Sequence, residues 1–327
     1  LPGRVPPVRL HPMSFAAALS SLVRDAVRVS LTLYKILIPI IIGVKICTEL
    51  GLVPYLAAPL GPVMELLGLP GAMGLAWATA MLSNIYGGMA VFVALLPQTG
   101  PLSQAQVTVL GVAMLFAHNL IQEGAVTKRC GAGFWTQNAI RLGGAFLCGL
   151  ILHWIFSAGD FLAAPVPVLW TPAPDAPGLL PWAVGQAKTL GFIFCVILTL
   201  MALMRALTAL GLSRFMEAAL APFLRLMGIG TTAATITIIG LTLGIGYGGG
   251  LIIHEVDQGT IPRRDVFAAA TLMSLSHALI EDTILMTLIG TSPWGSLAAR
   301  LIFSLAATAA LVRLIPRFTL EAGSQTR

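Results

Sequence analysis

Two clusters of ionisable side chains sit in or beside the apolar stretches of this chain: His118, Asn119, Gln122 and Glu123 in the first half, and His277, Glu281 and Asp282 in the second. Imidazoles and carboxylates at such spacing can hold or pass a proton, bind sodium, hydrogen-bond a polar solute or ligate a transition metal. The second cluster lies inside the apolar run 266–289. An acid near mid-bilayer costs about 2.5–3.5 kcal/mol even on the lenient insertion scale, so it faces a cavity, a partner or an ion. One such polar residue would read as interhelical hydrogen bonding, worth about 0.6 kcal/mol. The same His-and-acid cluster met twice favours a solute or ion site. On an unbroken helix the step from His118 to Gln122 puts both on one face, with Glu123 about a hundred degrees further round.

Each cluster follows a glycine-rich segment: Asn84, Tyr86, Gly87 and Gly88 in the first half, and Tyr247, Gly248 and Gly249 within 244–250 in the second. Consecutive glycines weaken a helix by roughly 1 kcal/mol each relative to alanine. They allow an unwound segment whose carbonyls and helix termini coordinate a substrate or ion; close packing of helices through small residues is the competing reading. These residues complete the candidate substrate- or ion-binding set, and metal ligation is left open. His254, Glu255 and Asp257, which have no counterpart in the first half, read as a charged loop.

The segments carrying these residues are copies. Residues 116–123 match 275–282, and 62–69 match 222–229, at an interval of about 160 that is too long for a solenoid repeat. The chain is 57% hydrophobic and 10% charged, with a mean hydropathy of +0.90. Soluble domains carry about a quarter charged residues, so this is an integral membrane protein. Apolar runs at 30–50, 75–96, 107–121, 139–156, 190–209, 231–253, 267–289 and 297–314 approach or exceed the roughly 17–25 residues of a crossing. The shorter, proline-bearing stretches 53–69 and 215–229 either cross or re-enter.

Basic residues place 1–29, Lys128-Arg129, Arg205/Arg214, Arg263-Arg264 and Arg313/Arg317 in the cytoplasm, and the linker 157–182 with the loops 97–106 and 290–295 outside. Lys45, Lys188 and Arg300 run against that rule. The first apolar run contains Lys35 and Lys45 and has no small-residue cleavage site after it, so it reads as a retained helix. Five segments per half is odd, which inverts the second half relative to the first. The fold class expected is all-α and integral to the membrane, two inverted-topology repeats of about five helical segments with glycine-broken helices. The divisions are an N-terminal cytoplasmic segment 1–28, repeat 1 at 29–157, an extracytoplasmic Pro-rich linker 158–183, repeat 2 at 184–318 and a cytoplasmic tail 319–327.

Cys47, Cys130, Cys148 and Cys195 form no paired motif, so neither a disulfide framework nor a zinc knuckle is expected. Basic residues at helix ends, without interleaved aromatics, argue against nucleic acid. No second histidine completes an HExxH zinc motif, no GxSxG turn is present, and no GxxxxGK[ST] loop is present for ATP. An enzyme and a cofactor are therefore not expected.

With these residues in view, the chain resembles the bacterial nucleoside-recognition, or Gate-domain, membrane proteins. The likeness spans roughly 29–316 and rests on the short amphipathic stretches before Gly68 and Gly228, the Tyr-Gly-Gly segments and the two His/acid clusters. That family includes the spore maturation membrane proteins and is related to the gates of ferrous-iron transporters and to concentrative nucleoside transporters. The resemblance implies an inverted-repeat, solute-handling protein of a bacterial inner membrane. The polar hairpin pattern with which the nucleoside transporters hold ribose and base is absent, so no nucleoside specificity carries over. The expected function is secondary-active transport of a small polar or anionic solute, coupled to protons or sodium, with both termini cytoplasmic. Alternatives are divalent metal transport, or a non-transporting scaffold or assembly factor. The bilayer and a small solute or ion are the expected partners, and homo-oligomerisation is left open.

Overall fold

The structure, a computed structural model, describes residues 15–165 and 178–314. Apart from one isolated bridge between Ser103 and Pro165, the regular elements in them are helical. Arg4, Arg9, much of the linker and the segment 319–327 lie outside the described residues, as does the side chain of Tyr247. Among the described residues, five stretches are long and apolar enough to span a bilayer: Leu19–Glu49, Gln104–Arg129, Phe134–Gly159, Leu179–Ala209 and Pro293–Leu314. The chain is a helical, multi-pass membrane protein.

The two halves run through the same order of elements. A long helix opens each: α1 (Phe15–Glu49) in the first, with its counterpart α9 (Leu179–Ala209) in the second. Next come short segments, α2 (Val53–Ala57) and α3 (Gly61–Leu66), answered by α10 (Leu212–Leu226). A pair of short helices follows, α4 (Met73–Leu82) with α5 (Ile85–Thr99), answered by α11 (Thr231–Leu243) with α12 (Ile245–Asp257). A broken helix comes next, α6 (Gln104–Phe116) with α7 (Leu120–Arg129), answered by α13 (Arg263–Ser276) with α14 (Leu279–Thr287). Each half closes on a helix that reaches back to the break, α8 (Phe134–Gly159) or α15 (Pro293–Leu314).

Packing does not follow the boundary between halves. Among the described residues, one compact unit comprises 15–36 and 178–210, and the other comprises 37–165 and 211–314. Within the first, the Tyr34 hydroxyl donates to the Leu190 carbonyl at 2.5 Å, and Arg205 pairs with Asp25 at 2.6 Å. The second unit holds the hairpins, broken helices and closing helices of both halves, so the repeats are units of sequence rather than of packing.

The runs 75–96 and 231–253, expected as single crossings, are each folded in two. At 1.5 Å per residue a 13-residue helix rises only about 20 Å, short of the roughly 30 Å hydrocarbon layer. The fold-back puts a break in each glycine-rich segment. It falls at the first residue of each: at Asn84, which is extended (φ −165°) and whose side chain accepts the Gly87 N–H at 2.9 Å, and at Gly244, with φ 98°. Gly87, Gly88 and Gly248 are helical and serve packing. A Cβ at Gly88 would stand 2.6 Å from the Ala80 Cβ, and one at Gly248 would stand 2.6 Å from the Gly240 Cα. Small residues let each pair of backbones approach this closely.

The third residue of α6 and of α13 ties its helix to the turn that ends the preceding amphipathic stretch. Gln106 donates to the Gly68 carbonyl at 2.9 Å and completes a capping box with Ser103. Its counterpart Asp265 accepts the Gly230 N–H at 2.9 Å. Gly68 and Gly228 end those stretches with φ of 69° and 75°, a left-handed conformation that costs glycine nothing.

Candidate functional site

The unbroken helix expected through each His/acid cluster is absent. α6 stops at Phe116 and α7 starts at Leu120, with Asn119 left-handed at φ 49°. α13 stops at Ser276 and α14 starts at Leu279, with Ala278 left-handed at φ 45°. The break moves Gln122 to an exposed position, away from His118, and brings Glu123 in instead.

A helix that ends in the interior must find partners for its last carbonyls. In the first half the His118 Nδ1 lies 3.0 Å from the Met114 carbonyl, and Arg141 of α8 donates to Phe116 O at 2.9 Å and His118 O at 2.6 Å. In the second half the His277 Nδ1 lies 3.0 Å from the Met273 carbonyl, and Arg300 of α15 donates to Leu275 O at 3.2 Å and His277 O at 2.8 Å. Each guanidinium thus closes a helix end while remaining fully buried. Each also faces an acid: Arg141 Nη2 is 2.9 Å from Glu123 Oε2, and Arg300 Nη1 is 3.5 Å from Asp282 Oδ2.

The two breaks meet. His118 Nε2 and His277 Nε2 are 3.3 Å apart across 159 residues of sequence, and Glu123 Oε1 lies 3.3 Å from each of them. A carbonyl oxygen can only accept, so each Nδ1 donates its N–H to that carbonyl, and a neutral ring then has a lone pair at Nε2. Two imidazole Nε2 atoms and a carboxylate oxygen therefore converge on one point. An oxygen of Asp282 lies within 4.8 Å of both imidazole nitrogens. All four side chains are buried, at 3–8% exposure, and with Arg141 and Arg300 the charges of the cluster balance.

The other expected site residues lie around this centre or apart from it. Asn119 and Glu281 are half-buried next to buried members of the cluster, and the half-buried Tyr86 is close enough to Glu281 and Asp282 to feel their charge. Asn84 is engaged in capping α5. Gly87, Gly88 and Gly248 face their own hairpins, and Gly249 lies against Val126 of α7. Arg141 and Arg300 were missed by sequence reasoning. The available signal was that both lie inside apolar runs at the same interval that separates the two histidines.

The chain is 28% identical, over 289 residues, to the uncharacterized membrane protein YvoD of Bacillus subtilis (strain 168), an alignment covering 86% of this chain and 89% of that protein. It is a distant homologue of YvoD. No family model matches the chain, and no solved structure matches it.

Proposed function

We propose that the protein is a secondary-active transporter of a bacterial inner membrane, moving a small polar or anionic solute by alternating access between its two halves, coupled to protons or sodium. The observation that carries this reading is the contact between equivalent residues of the two halves, His118 and His277, each at the end of a broken helix. Broken helices meeting at a buried polar centre between repeats are the usual form of a carrier's binding site. The buried Arg141 Nη1 has no partner among the described residues, which leaves a donor for a polar or anionic group.

The halves are inverted on this reading. With the hairpins re-entrant and the broken helices crossing, each half crosses three times, and three is odd. The basic ends then fall on one side: Lys128 and Arg129 in the last turn of α7, Arg205 near the end of α9, Arg263 and Arg264 at the start of α13, and Arg313 at the end of α15. The linker between the halves falls on the other. Arg300, an exception by charge alone, is a buried partner of Asp282 rather than a loop residue. The resemblance to nucleoside-recognition membrane proteins points the same way.

Purified protein in liposomes tests the reading. A pH-sensitive dye inside the vesicles should report solute-driven proton movement, or a sodium gradient should drive uptake, when nucleosides, amino acids and small organic anions are screened. Glu123→Gln should abolish it. Folded wild-type protein that moves none of these in either gradient would favour the scaffold reading.

A further inference from the structure

We propose that His118, His277 and Glu123, with Asp282 as the fourth ligand, form a binding site for a divalent transition metal ion of the zinc class. The three converging acceptors form a triangle of equal edges, 3.3 Å each. A point near the middle of that triangle is about 2 Å from all three atoms, the distance at which zinc binds imidazole nitrogen and carboxylate oxygen. A tetrahedral ion uses such a triangle as one face, and the Asp282 carboxylate, within 4.8 Å of an imidazole nitrogen of each histidine, closes the fourth vertex when it swings from Arg300 toward the ion.

The surroundings select the ion. With both rings neutral, two imidazole lone pairs and a carboxylate oxygen face one another in a buried site, and a bound cation satisfies all three. A proton on one edge would draw two of the three atoms together, whereas three equal separations suit one central atom. Sodium, magnesium and calcium favour oxygen shells, and two imidazole nitrogens suit zinc, cobalt or nickel. Both histidines donate their other ring nitrogen to a backbone carbonyl, Met114 O and Met273 O, which is the outer-shell arrangement that orients metal-ligating imidazoles. Arg141 and Arg300 hold the carboxylates from behind. They also give the loaded site excess positive charge, so binding is of moderate strength, as an ion that must leave again requires. That the ion is carried rests on the transporter reading; that it binds does not.

The test is a titration of chelator-treated, detergent-purified protein with Co²⁺. One Co²⁺ per chain should bind with the visible absorption of a tetrahedral nitrogen–oxygen site, displaced by Zn²⁺ and not by Na⁺ or Mg²⁺. His118→Gln and His277→Gln should each weaken binding by roughly 100-fold or more, beyond the loss seen for outer-shell partners. Asp257→Asn, distant in sequence at the end of α12, should leave it unchanged. Folded wild-type protein that gives no such band, or variants that bind as wild type, overturn the proposal whether or not they fold less well. Binding without Zn²⁺ uptake into liposomes would leave the site standing and remove the carrier. Uptake of another solute by protein that binds no metal would do the reverse.

Discussion

Asn119 and Ala278 occupy the same position in the two halves, and both hold left-handed backbone, at φ 49° and 45°. Asparagine visits that region routinely, whereas alanine gives up about 1–2 kcal/mol there. Ala278→Asn should therefore raise the thermal unfolding midpoint in detergent, by an increment of about 1 kcal/mol, and Asn119→Ala should lower it by a similar amount. Opposite signs at equivalent positions are the outcome to look for.

Arg141 and Arg300 each span two carbonyls with one planar group. Lysine brings the same charge but cannot bridge both with its single ammonium. Arg141→Lys should cost roughly 2 kcal/mol, and Arg141→Ala about 3–5 kcal/mol because Glu123 is left buried and unpaired. The substitutions at Arg300 should cost less, because its acid lies at 3.5 Å instead of 2.9 Å. Denaturant or thermal unfolding of the four variants ranks them.

The hairpin packing predicts a contrast within one helix. Gly248→Ala drives a methyl group to 2.6 Å from the Gly240 backbone, whereas a Cβ at Gly250 meets nothing within 4 Å. The first should destabilise by about 1–3 kcal/mol through overpacking, and the second should stabilise by about 0.5–1 kcal/mol through helix propensity. Equal effects would mean that α11 and α12 do not pack as described.

On the proposed topology, with three crossings per half, Asp160, after α8, and Gln258, after α12, lie on opposite faces of the membrane. In a cysteine-free background, a membrane-impermeant thiol reagent added to intact cells should label Asp160→Cys and spare Gln258→Cys. Labelling of both from outside would overturn the crossing count.

The duplication was legible in the sequence because interval and residue type coincide at His118 and His277, and the membrane character was legible from composition. The helix breaks were not. Residues 75–96 read as one apolar run because the turn at Ser83-Asn84 disturbs its hydropathy little, and a fold-back and a crossing look alike when both are apolar. The break at Ala117–Asn119 was hidden for another reason: no glycine or proline marks it, and it persists because an arginine 23 to 25 residues downstream takes the orphaned carbonyls. Long-range capping of that kind leaves no local trace. Read alone, Arg300 looked like a charge on the wrong side of the membrane; set beside Arg141 at the repeat interval, it belongs to the centre.

Glu123 and Asp282 differ by one methylene, and that carbon makes the centre lopsided. Glu123 is long enough to touch both imidazoles, while the equivalent Asp282 is held back beside its arginine. A backbone with matched halves therefore carries unmatched chemistry. If the halves exchange roles during a working cycle, the two end states differ in energy, and the preferred resting orientation follows from the length of a side chain. Exchanging the two acids, Glu123→Asp with Asp282→Glu, would invert that preference without touching the scaffold.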